Sequence, residues 1–177
     1  RATRIVTNVR PDTRQAGEYQ LAFDAQTLTL PRPVRGFETF GLDVPVLRAA
    51  IVVSEGAALL RAQPGDPLGA WSDANGQLRF EALLLNWGPI ETTGAGDGGL
   101  DEQRRLEGRL VLPVTRPAPV INAIADGPNI DDSARRALQL LAAGYVVSGD
   151  EITLDISGND GVLRIEGLPV RTLPPVY

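Results

Sequence analysis

The sequence predicts an α+β domain: an extended, bent antiparallel β-sheet of roughly seven to nine strands, with two helices packed on one face. Three observations carry this expectation. Apolar and polar residues alternate with a period of two through most of the chain. Only between residues 119 and 144 does the period lengthen to about three and a half. The 19 glycines and 14 prolines supply many turns between the alternating runs.

Each element follows in order. Ile5, Thr7 and Val9 alternate with their neighbours, and Tyr19, Leu21 and Phe23 do the same after the turn-forming PDTRQAG, so a β-hairpin opens the chain. Leu28 and Leu30 continue the pattern until Pro31 and Pro33 push the backbone to an edge or loop. Leu47, Ala49, Ile51 and Val53 line one face of a further strand, although VLRAAIVVSEGAALLR also fits a helical spacing. Residues 62–76, with QPGDPLG and Asn75-Gly76, read as a long surface loop. Leu78 and Phe80 share one parity while Leu83, Leu85 and Trp87 share the other; a bulge near Ala82 reconciles them. GAGDGG reads as a hairpin tip, and Leu106, Leu110, Leu112 and Val114 as the antiparallel neighbour of the strand ending at Trp87.

Pro119 suits a first helical position, with Val120, Ile121 and Ile124 on one side before Gly127 and Pro128. Asp131 or Asp132 can cap a second helix, Ala134, Ala137, Leu138 and Leu141 form its apolar stripe, and Gly144 can close it. Ile152, Leu154 and Ile156, the turn GNDG, and Val162, Leu163 and Ile165 make a terminal hairpin over about residues 151–170. The expectation is one β-rich domain over residues 1–177, with a helical insert at about 119–144.

Composition narrows the chemistry. All 17 basic residues are arginine, and there is no Lys, His, Cys or Met. That removes the Ser-His-Asp triad, thiol nucleophiles, Schiff bases, the P-loop lysine and His/Cys zinc sites. No catalytic, cofactor or metal residue is assigned, and the expectation is a protein that is not an enzyme. A net charge of -5 with scattered arginines disfavours nucleic acid. The most apolar stretch, residues 44–60, is broken by Pro45, Arg48, Ser54, Glu55 and Gly56, so no membrane span is expected. The chain opens on Arg1 and directly on a strand pattern, which suggests a fragment of a longer exported protein.

Three motif matches have simpler accounts. Gly94, Gly96 and Gly99 spell G-x-G-x-x-G, but an alternating strand follows where a nucleotide site needs a helix. Asp155 and Glu166 stand at the first and twelfth places of a calcium loop, whose sixth place holds Asp160 instead of glycine. Asp97, Asp101 and Glu102 could form a hydrolase pair, a remote alternative beside a solvated loop. The remaining feature is apolar: Leu83, Leu85, Trp87 and Ile90 are candidates for a face that binds an apolar ligand or partner, with a covering layer of the same chain as the bland account.

Taken together, ALLLNWGPIETTGAGDGGLDEQRRLEGRLVLPV, the helical ARRALQLLAAG and the closing G-x-L-x-x-x-G-L-P-V pattern of residues 161–170 resemble the C-terminal half of the proteobacterial family called domain of unknown function 2125. The resemblance implies export to the periplasm of a Gram-negative bacterium and an inner-membrane anchor outside this chain. It implies no activity. The strand-after-strand layout is similar to AsmA-like envelope proteins, a fold-level analogy that points to lipid. The function expected is a non-enzymatic cell-envelope protein whose apolar sheet face binds or shields an amphiphile such as a lipid. The alternative is a scaffold or assembly subunit that binds an envelope protein through its sheet.

Overall fold

The computed structural model describes residues 1–59, 61, 63, 66, 68–148 and 151–176, with the side chains of residues 147 and 148 excluded. Nine strands form one antiparallel sheet in strict chain order: β1 (Arg4–Pro11), β2 (Tyr19–Thr29), β3 (Asp43–Val53), β4 (Gln77–Trp87), β5 (Ile90–Leu100), β6 (Leu106–Val114), β7 (Ile152–Asn159), β8 (Val162–Ile165) and β9 (Leu168–Thr172). Two short helices, α1 (Gly56–Leu59) and α2 (Gly69–Asp73), separate β3 from β4. Two longer ones, α3 (Pro117–Ala125) and α4 (Asp132–Ser148), separate β6 from β7. The α+β class and the antiparallel sheet are thus as the alternation predicts.

Parity sorts the side chains because cross-strand partners point the same way. On one face a row runs Val9, Leu21, Ile51, Phe80, Gly96, Leu110, Ile156, Ile165 and Leu168. One residue along, the opposite face carries Arg10, Gln20, Val52, Arg79, Asp97, Arg109, Ser157 and Arg164. The first row is apolar; the second is mainly polar but includes Val52, which is buried. The register shifts between Phe80 and Leu83, so the anticipated bulge returns Leu83, Leu85 and Trp87 to the apolar face that Leu78 and Phe80 occupy.

The main core lies between that face and the long helices. Ile121, Leu138, Leu154, Ile165 and Val170 are fully buried there, with Leu85, Trp87 and Leu112 packed against them. A smaller core forms elsewhere around Val53, Ala58 and Trp71.

Several boundaries differ from expectation. GAGDGG is not a hairpin tip but the interior of β5, so β6 neighbours β5 rather than β4. Glycine is required there by close approach: a Cβ on Gly96 would strike the Arg109 carbonyl, and one on Gly94 the Leu112 side chain. α3 begins two residues early, with Pro117 in its first turn, and α4 runs through Gly144 to Ser148 because the helix is carried by Leu138, Ala142 and Tyr145 on the core side. Residues 62–76 are not all loop, since α2 buries Trp71 and its indole N–H donates to the Ser54 carbonyl at 2.8 Å; Ala62, Pro64, Gly65 and Pro67 lie outside the described residues. The segment that fits both helix and strand divides: β3 ends at Val53 and α1 follows. The terminal hairpin gains a third strand, β9, through a second turn in which Glu166 and Gly167 have φ of 51° and 76°.

Candidate functional site

The four candidate residues share one face, and the structure divides them. Ile90 is buried in the main core and pairs directly with Trp87. Trp87 stacks on Phe37 at 5.6 Å, meets Phe40 edge-on at 5.3 Å, and donates its indole N–H to the Gly41 carbonyl at 3.0 Å. Leu85 packs against the same core. These three side chains belong to the packing beneath the helices. Leu83 sits one pleat further along, half-buried, and belongs to neither core cluster.

Leu83 opens onto a strip that sequence reading did not single out. Its cross-strand row runs through Ala49 and Phe23 to Thr7, and the next row runs through Phe80, Ile51 and Leu21 to Val9. Leu21, Phe23, Leu47, Phe80 and Leu83 are half-buried and outside both cores. At the β1 rim Ile5 is 58% and Val9 64% exposed. The signal was present in the sequence as parity. What it lacked was which strands the helices cover: α4 reaches β9 and the main core takes in Leu85 and Trp87 of β4, while the smaller core with α1 and α2 packs on Ile51 and Leu78.

The polar face is organised by ion pairs. Asp12, buried at the end of β1, accepts from the Arg14 guanidinium at 2.8 Å and from the Gln20 amide at 2.8 Å. These bonds, the Arg14 side chain first, hold the Asp12 carboxyl well below the usual carboxylate range. Glu18, also buried, faces Arg79 at 3.6 Å. Asp155 pairs with Arg109 at 2.6 Å, which lowers its pKa. Its backbone N–H donates to Glu166 Oε1 at 2.6 Å, so the two ends of the calcium-like loop hold a strand pair together. Asp97 stands exposed on β5, whereas Asp101 closes the β5–β6 turn, accepting from the Gln103 and Arg105 N–H groups and pairing with Arg105 at 2.7 Å. Burial raises the Asp101 pKa, and the Arg105 N–H and guanidinium more than reverse it. Asp101 is thus committed to its turn. Among the described residues no group of Asp and Glu is placed to hold a metal ion.

Fold and site together define an α+β sheet domain with one polar face and one apolar face that its own helices cover only in part. The chain belongs to the bacterial family described as "Uncharacterized protein conserved in bacteria (DUF2125)", which it matches over residues 1–174. Comparison with curated proteins and with solved structures returns no match. Among the described residues no helix is long and apolar enough to cross a membrane.

Proposed function

We propose that this domain binds or shields an amphiphile, such as a lipid, along the apolar strip running from Leu83 and Phe80 to Val9 and Ile5, without catalysis. One observation carries the reading. Antiparallel sheets commonly leave one face to water, and that face is then polar; here the more polar face carries the Arg10 to Arg164 row, and the strip outside both core clusters, exposed at Ile5 and Val9, lies on the other. What is missing is a cover for an apolar surface. An acyl chain removing roughly 200 Å² of it from water would gain about 5 kcal/mol at 25 cal/mol per Å², before the cost of association.

The setting supported by the family resemblance is the periplasmic side of the cell envelope, at the inner membrane. The test is mass spectrometry of organic extracts and a native mass spectrum of the gently purified protein, with uptake of added phospholipid measured in parallel. Leu83→Asp and Phe23→Asp are expected to abolish uptake while far-UV circular dichroism is retained. An apo mass in every preparation with no uptake from added lipid would refute the reading.

A further inference from the structure

We draw no further inference here: the strongest candidate, the polar cleft of about 630 Å³ between the α2–β4 and β7–β8 turns, owes its character to the exposed carboxylates of Asp97, Glu107 and Asp160, an acidic cluster with no second observation in the structure that points to a ligand.

Discussion

Trp87 decides between a ligand surface and a packed layer, so Trp87→Ala is the sharpest single perturbation. A side chain poised for a ligand is free before the ligand arrives, and removing it should leave stability nearly unchanged. The structure places it otherwise, between Phe37 and Phe40 and bonded to the Gly41 carbonyl. Two aromatic contacts at about 0.5–1.5 kcal/mol each, and a hydrogen bond near 1 kcal/mol, suggest a loss of about 3 kcal/mol. That is the low end of the range for deleting a core Trp, in keeping with an indole only half-buried. Urea unfolding followed by far-UV circular dichroism measures it, and thermal unfolding should fall by about 6–12 °C for a chain of this size. Trp87→Phe, which keeps the apolar ring and loses the bond, should cost about 1 kcal/mol. In either variant Trp71 is the only tryptophan left, so its fluorescence reports whether the smaller core unfolds together with the main one. A loss below about 1 kcal/mol for Trp87→Ala, with an unchanged denaturant slope, would refute the packing argument.

Four further outcomes follow from the same structure. Asp12, Asp101 and Asp155 all have lowered folded-state pKa values, so each contributes stability that is full above the unfolded value of about 4 and is lost as pH falls through the folded one; urea midpoints should therefore drop between about pH 5 and pH 2, less steeply in Asp12→Asn, and a flat profile would contradict the assignment. Gly96→Ala and Gly108→Ala would each drive a Cβ into a backbone carbonyl of the neighbouring strand, and should cost at least about 1–3 kcal/mol in the same denaturation assay. Gly167→Ala, where φ is 76° and nothing lies within 4 Å of the added carbon, isolates the backbone term and should cost only about 1 kcal/mol. Leu85→Asp should unfold the protein or cost several times what Leu83→Asp costs, because only Leu85 lies against the main core; equal losses would remove the distinction between covered and uncovered parts of the face.

Much of the fold was legible because the alternation is strong and its interruptions are informative. The change of parity at Ala82 located a bulge, and the run from Ala134 to Leu141 located a helix. Glycine misled in two ways. In GAGDGG it read as a turn, yet Gly94 and Gly96 sit mid-strand, where β6 approaches too closely for a Cβ. At Gly144 it read as a stop, yet Tyr145 still packs on the core side and the helix continues. Trp71 was passed over because turn residues surround it, while its indole reaches Ser54, a contact that no local pattern encodes.

The candidate site was legible in kind and misplaced in position, for a physical reason. Periodicity assigns each side chain to a face, but every residue on the apolar face carries the same signal whether or not something covers it. Leu85 and Leu83 are indistinguishable by parity and neighbours, and they differ only in what α3 and α4 reach. Those helices enter after β6 and return the chain to β7, so they shelter the later half of a sheet whose strands follow chain order. Among the described residues, the earlier half packs chiefly against α1, α2 and the 30–42 loop. Because strand order is sequential, the strip outside both core clusters falls on the β1 side of the sheet, where Ile5 and Val9 form its exposed rim.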